Sequence, residues 1–218
     1  MVDICETTAA AVAGIADGST ILIGGFGMAG MPVQLIEALI EQGATDLTVV
    51  SNNAGNGDTG LAALLAAKRV RKVICSFPRQ SDSWVFDSLF RAGEIELEVV
   101  PQGNLAERIR AAGAGIGAFF CPTGVGTQLA AGKETREIGG RTYVLEYPLS
   151  GDFALIGAYR ADRMGNLVYR KTARNFGPVM ATAATTTIGQ VKEVVETGVL
   201  DPETVVTPSI YVDKVVAV

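Results

Sequence analysis

The chain contains no histidine. That absence excludes a Ser-His-Asp or Cys-His nucleophilic centre built within the chain, and any metal site ligated by imidazole. Cysteine is scarce: Cys5, Cys75 and Cys121 are widely spaced and odd in number. Such a set fits neither a disulfide framework nor a cysteine-only zinc site, and reads as reduced thiols in a cytoplasmic protein. No metal is expected. Positive charge is missing from one whole region, because residues 1–67 hold no Lys or Arg and the first is Lys68. A secretory signal needs a basic start and a transit peptide is Arg-rich, so neither is predicted. No run reads as a membrane span. The uncharged stretch Gly18 to Ile36 is broken by Gly24, Gly25, Gly27, Gly30 and Pro32, and reads as strand, turn and helix start. Chemistry here must therefore use carboxylates, amides, hydroxyls, Lys, Arg or backbone groups.

What is present is apolar and acidic. Hydrophobic residues make up 48% of 218, and mean hydropathy is +0.31. That surplus can face a protein partner. The net charge of −5 argues against nucleic acid and anionic membrane as partners.

The pattern along the first half alternates. Helices are predicted over 6–16, 32–42, 59–67 and 83–91, and strands over 19–23, 46–51, 71–76 and 95–100. Asn104, with Glu107 three residues on, has the spacing of a capping box opening another helix. This alternation predicts βα units around a mainly parallel sheet flanked by helices. The second half is more β-rich. Residues 123–140 read as a Gly-rich loop, and strand-like pieces follow at 142–146, 153–156, 166–169 and 210–216. A helix is predicted near 178–184, and 189–196 is ambiguous. No repeat or linker appears, so 1–218 is expected to form one α/β domain.

The first strand runs into Gly24-Gly25-Phe26-Gly27-Met28-Ala29-Gly30-Met31-Pro32, and a helical pattern follows. Gly25-x-Gly27-x-x-Gly30 matches a dinucleotide-binding fingerprint by letter. That fingerprint also needs an Asp or Glu about 20 residues later, at the end of the second strand. Here the strand ends Ser51-Asn52-Asn53; Asp46 lies at its start and Asp58 lies past the following loop. No Gly-Lys-Ser/Thr follows the turn, so a P-loop is excluded too. Two readings remain for the glycines: close approach of backbone to a ligand, or a tight strand–helix turn. Asn52 and Asn53, and Gln102 after the 95–100 strand, sit at carboxyl ends of strands, where open α/β sheets hold ligands. Each can equally serve as a turn or cap residue. Trp84 and Phe86 read as core or interface. Lys68-Arg69-Val70-Arg71-Lys72 reads as an exposed set at a helix–strand join.

These residues resemble family I CoA-transferases. The likeness runs through Asp17-Gly18-Ser19-Thr20-Ile21-Leu22-Ile23-Gly24-Gly25-Phe26 to Gly30-Met31-Pro32, then Ser51-Asn52-Asn53-Ala54-Gly55 and Pro101-Gln102-Gly103-Asn104-Leu105-Ala106-Glu107-Arg108. It continues in Pro122-Thr123-Gly124, Gly151-Asp152-Phe153-Ala154 and Arg170-Lys171-Thr172-Ala173-Arg174-Asn175-Phe176. The stretch Cys75 to Ser83 looks most like that of the α (A) chains acting on 3-oxoadipate, a step of aromatic degradation; acetoacetate and other 3-oxoacid transferases are near neighbours.

The resemblance implies CoA transfer from succinyl-CoA to a 3-oxoacid through a glutamyl–CoA thioester, with no tightly bound cofactor. It implies that Gly24, Gly25, Phe26, Gly27, Met28, Ala29 and Gly30 form the CoA-binding loop. It gives Gln102, Asn52 and Asn53 the part of supporting the oxyanion or the substrate. The family's nucleophilic glutamate lies in a Ser-Glu-Asn-Gly motif of the B subunit, and this chain has no such motif. A partner B subunit is therefore implied, with an acyl-CoA and a 3-oxoacid as small-molecule partners. The basic group Arg170, Lys171 and Arg174 with Asn175 reads either as a contact for CoA phosphates or a dicarboxylate, or as a solvated face. A non-catalytic scaffold role is the alternative of a different class.

Overall fold

The computed structural model describes residues 2–218. Its frame is an eight-stranded sheet in which every neighbouring pair is parallel. The strands are β1 (Asp3–Cys5), β2 (Thr20–Ile23), β3 (Leu47–Val50), β4 (Val70–Cys75), β5 (Glu96–Val99), β9 (Gly151–Gly157), β12 (Ala184–Val191) and β14 (Lys214–Ala217). Their spatial order is β1-β14-β12-β9-β2-β3-β4-β5. From β2 the chain winds outward through β3, β4 and β5. It then returns to β9 on the other side of β2 and winds outward again through β12 and β14. The reversal falls between β2 and β9, and a crevice opens outside the carboxyl ends of strands at such a point.

Helices cover both faces, so the central strands are apolar on both sides. Ile21 and Ile23 face one core with Leu35, Leu39, Leu64 and Phe86. Leu22, between them in β2, faces the other core with Leu105, Ile109 and Met180. This is the two-residue alternation of a strand. The first layer comprises α1 (Thr8–Val12), α2 (Val33–Gln42), α3 (Leu61–Ala66) and α4 (Trp84–Arg91); the second comprises α5 (Gln102–Gly113) and α6 (Gly177–Ala181). Phe86 is core, whereas Trp84 is 60% exposed.

Two three-stranded sheets complete the molecule. One pairs β6 (Phe119–Cys121), β7 (Thr135–Ile138) and β8 (Arg141–Glu146); the other pairs β10 (Arg160–Asp162), β11 (Leu167–Val168) and β13 (Glu193–Val195). The sequence reading of 123–140 as loop is therefore corrected at β7. All four β7 residues are exposed, so no burial alternation marks the strand. Its signal is the Gly139-Gly140 turn, with both φ positive, which joins Ile138 to Arg141 in a two-residue hairpin. The ambiguous 189–196 segment divides between β12 and β13. Of the predicted 210–216 strand only residues 214–216 are strand, within β14, and Ser209–Tyr211 is a 3-10 turn.

The capping box at Asn104 is also corrected. α5 starts at Gln102, directly after extended Pro101. The Asn104 carboxamide donates to the buried Glu146 carboxylate at 3.1 Å, and Glu107 pairs with Arg110. The Asn104–Glu146 bond fastens the β6–β8 sheet to α5, and Lys133, just before β7, meets the same carboxylate at 2.8 Å. Beside it, Glu98 accepts from Lys72 at 2.7 Å and Arg108 at 3.1 Å, tying β5 to β4 and α5.

Burial raises the Glu98 carboxyl, but the two cations outweigh it and hold the group below the ordinary carboxylate value. A depressed carboxylate stabilises the fold above its unfolded pKa, and that stability is lost as pH falls through the folded one. Glu98→Gln should thus lower stability at neutral pH by up to about 1 kcal/mol, the scale for a half-exposed ion pair. In denaturant melts the gap to the parent should close as pH falls below about 4.

Candidate active site at the carboxyl edge of the sheet

The glycine segment is not a simple strand–helix turn. Residues 24–32 separate β2 from α2, and the tip folds into its own hairpin. Phe26 N–H donates to the Ala29 carbonyl at 3.0 Å, and Ala29 N–H donates back to Phe26 at 3.3 Å. Gly27 takes left-handed φ at this tip. Phe26 and Met28 project from it, each about half exposed. The base of the loop crosses the end of β9: Gly24 N–H donates to Leu155 O at 2.9 Å. A Cβ on Gly30 would stand 2.2 Å from the Ala173 carbonyl oxygen, so no side chain fits there.

One residue, Asn175, clamps this loop to the 170–176 segment. Its carboxamide oxygen accepts from Gly25 N–H at 3.1 Å and Phe176 N–H at 2.7 Å. Its nitrogen donates to Ala29 O at 2.8 Å and Thr172 O at 3.0 Å. All four capacities of one amide are used, and the Gly25 bond joins residues 150 positions apart.

The dinucleotide reading fails on geometry as well as on sequence. At the start of α2 the Leu35 N–H is already occupied by the Gln190 side chain at 3.1 Å. The helix start is closed by β12 rather than presented to a phosphate.

Asn52 and Gln102 come together. Gln102 Nε2 donates to Asn52 Oδ1 at 2.7 Å, and Ser76 Oγ donates to the same oxygen at 2.8 Å. Asn52 is 2% exposed and its backbone carbonyl also accepts from Ser76 and Phe77 N–H. It therefore binds the ends of β3 and β4 to the first residue of α5. Gln102 itself is exposed. Asn53 does not join them: its side-chain oxygen accepts from Gly55 N–H at 2.9 Å, closing its own turn. Sequence reasoning missed Ser76, whose only signal is its place directly after an apolar strand.

Three clefts follow the glycine loop in succession. The first is lined by Phe26, Gln102, Ala106, Asn175, Phe176 and Val179. The second shares Phe26 and Asn175 with it and adds Ala29, Lys171, Thr172 and Arg174. The third shares Ala29, Lys171 and Thr172 with the second and ends among Arg170, Tyr159 and Lys192. No Asp or Glu lines any of the three. The edge thus offers amide donors, bare backbone and cations, and no Asp or Glu side chain.

Nor does a thiol serve. Cys75 ends β4 beside Ser76, but burial pushes it up to about 12, so it stays protonated at neutral pH. Among the described residues no group of three or more Cys, Asp or Glu is arranged to hold a metal. No helix there is long and apolar enough to cross a membrane.

Residues 5–218 match the family model for coenzyme A transferase. The chain is 71% identical to the A subunit of the 3-oxoadipate CoA-transferase from Pseudomonas putida, across 98% of this chain and 92% of that protein. It is 54% identical to the A subunit of a probable succinyl-CoA:3-ketoacid coenzyme A transferase from Bacillus subtilis (strain 168), across 93% and 84%. Among solved structures it superposes on an acyl-CoA transferase of Escherichia coli O157:H7, in thioester complex with CoA, with a TM-score of 0.89 at 23% identity. That likeness covers all of this chain and 50% of the other, so the chain spans half the length of that enzyme.

Replacing Asn175 with Ala removes all four clamp bonds without disturbing either core. Amide hydrogen exchange by mass spectrometry should then quicken across residues 24–30 by about tenfold or more, the loss of one to two net hydrogen bonds. The α2 and β3 amides should keep their protection.

Proposed function

The chain belongs to the coenzyme A transferase family, and from that premise we propose that it is the A subunit of a heteromeric enzyme moving CoA from succinyl-CoA to 3-oxoadipate. The observation that carries the choice of acceptor is the 71% identity to a 3-oxoadipate enzyme's A subunit, against 54% to a 3-ketoacid one. Both relatives are named as A subunits, which supports a second chain as partner. On this reading the partner B subunit supplies the nucleophilic glutamate that the three clefts lack.

The proposed route keeps the thioester energy throughout. The partner's carboxylate attacks the succinyl carbonyl carbon, the C–S bond breaks, and CoA leaves as thiolate from a mixed anhydride. The thiolate then attacks the glutamyl carbonyl and expels succinate, leaving a glutamyl–CoA thioester. A carboxylate of 3-oxoadipate repeats the two steps in reverse. No bond energy is discarded, so neither ATP nor water is consumed.

Each step passes through a tetrahedral oxyanion, and on this reading Gln102 stabilises it. One hydrogen of Gln102 Nε2 is committed to Asn52, which fixes the plane of the amide; the other is free to donate. Asn52, itself held by Ser76, is then a positioning residue. Asn53 shapes the loop beside it. The segment Gly24 to Gly30 carries the CoA arm, because bare backbone can approach a narrow amide chain closely. The three free thiols suit a reducing cytoplasm.

Co-expression with a B subunit, followed by thioester-exchange assays over several 3-oxoacids, tests this. The chain alone should be inactive, and the heteromer should turn over 3-oxoadipate faster than acetoacetate. An assembled heteromer that ignores 3-oxoadipate would overturn the acceptor. Gln102→Ala should lower kcat by about a hundredfold with assembly intact, the usual cost of one oxyanion donor. A loss under about threefold would leave Gln102 as a helix-start residue only.

A further inference from the structure

We propose that Glu146 is a positioning residue for Gln102: from the β6–β8 sheet it fixes the first turn of α5, and so the place of the Gln102 amide. This rests on the oxyanion role given to Gln102 above and adds what holds that amide from behind.

Glu146 ends β8, lines none of the three clefts, and has no part in the proposed chemistry. It is nevertheless a glutamate only 3% exposed. Taking a carboxylate out of water is costly, and well-packed apolar residues in place of a buried ion pair are often no less stable. Fastening the small sheet to α5 would not by itself require a charge. A directional bond is what an apolar contact cannot supply.

The bonds run from Glu146 to the start of the helix. Its Oε1 accepts from Asn104 Nδ2 at 3.1 Å and from Lys133 Nζ at 2.8 Å, and its Oε2 lies 4.0 Å from Arg108 Nε. Asn104 is 1% exposed. Its amide is oriented at both ends, because the Cys121 thiol donates to Oδ1 at 3.1 Å. Lys133 offsets the carboxylate, so the pair brings no net charge to the start of α5, where the proposed route develops an oxyanion.

The first turn of α5 depends on such bonds. Pro101 precedes it and supplies no side-chain cap. Leu105 and Ile109 pack into the core, and Arg108 reaches Glu98 and the Tyr147 carbonyl, but these hold the helix from Leu105 onward. Ahead of them, Gln102 is held by Asn52 and Asn104 by Glu146. Residues two apart point about 200° apart around a helix. The two grips therefore come from opposite sides, one from the end of β3 and one from β8. Together they set the roll of the turn about its axis, which neither sets alone. Placement of this kind matters to rate, since a shift of about 1 Å can cost about a hundredfold.

The test uses the assembled heteromer and measures kcat per assembled active site. Glu146→Ala and Asn104→Ala each remove the rear grip. Each should lower kcat about tenfold, with the KM for succinyl-CoA changed by less than about twofold. Glu146→Gln keeps an oxygen facing Asn104 and should stay within about threefold of the parent. The deciding measurement is a double-mutant cycle with Gln102→Ala. With Gln102 gone there is nothing left to position, so adding Glu146→Ala should lower kcat no further.

A residue that only supports the fold would cost the same factor in both backgrounds, and that result overturns the inference. So does a parent-like kcat in both alanine variants, or a Glu146→Gln variant as slow as Glu146→Ala. If Glu146→Ala does not assemble, Asn104→Ala decides, because it leaves the Lys133–Glu146 pair in place. If neither assembles, the network belongs to the fold alone and the inference falls. A silent Gln102→Ala defeats the oxyanion reading, and this inference with it. A costly Gln102→Ala to which Glu146→Ala simply adds defeats the inference and leaves the oxyanion reading standing.

Discussion

The carboxamide of Asn175 is the interaction on which the carboxyl edge depends. It accepts from Gly25 and Phe176 and donates to Ala29 and Thr172, so it determines how the glycine loop lies against the segment that follows β11. An amide is suited to this because it accepts and donates at once, and neither end leaves a charge near the clefts. A carboxylate of the same shape would accept from Gly25 and Phe176 but set its second oxygen against the Ala29 and Thr172 carbonyls. The loop can be rich in glycine and still hold one position because the clamp, rather than its own propensity, supplies the order. The reversal of winding between β2 and β9 then sets what the loop faces. Its base lies across the crevice, and its tip stands over the start of α5.

Fold and chemistry separate cleanly in this molecule. The parallel sheet is held by apolar strands buried on both faces, such as Ile21 and Ile23 against one layer and Leu22 against the other. None of those residues has chemistry to contribute. The polar groups of the edge, Asn52, Ser76 and Gln102, sit a few positions beyond strand ends, where the ladder has stopped and side chains are free to turn outward. A sheet of this kind can host unrelated reactions, so the architecture by itself does not select one. Selection comes from the lining: amides, bare backbone and cations, with no acid. Glu146, the buried glutamate, does not break that pattern, because Lys133 and Asn104 already occupy its carboxylate.

Much of the frame was legible in the sequence, and the reasons for the failures are specific. β2, β3 and β4 read correctly because a strand buried on both faces is a short apolar run bounded by turn residues. β7 was illegible from its burial pattern because it has no buried face. β1, three residues long at the sheet's edge, is too short to carry a pattern. The start of α5 was misjudged because Asn104 has the composition of a cap while its side chain is recruited by Glu146, 42 positions later. Long-range recruitment of this kind has no local signature. The same limit applies at the site. Asn52 and Asn53 are indistinguishable by type and neighbourhood, yet one reaches across to Gln102 and the other closes its own turn. The pattern marked the loop and the strand ends; it could not say which amide turns which way. Nor could it show that Asn175, read as part of a basic cluster, acts through its neutral carboxamide.

On the proposed reaction, the neutral lining beside Gln102 answers a specific demand of acyl transfer. Where an acyl group is transferred, negative charge moves from an attacking carboxylate to a tetrahedral oxyanion and then to a leaving group. A full cation there would bind the attacking carboxylate as strongly as the oxyanion, which lowers the ground state along with the transition state and gains no rate. On the proposed route, the neutral amide of Gln102, fixed by Asn52, favours the site where charge develops and offers less to charge elsewhere. Where the carrier is merely held, the requirement reverses: the anion does not change during the reaction, and uniform binding is what is wanted. Gln102 lines the cleft at the start of α5, whereas Arg170, Lys171 and Lys192 line the cleft beside Tyr159, so neutral and charged linings stand apart on this edge.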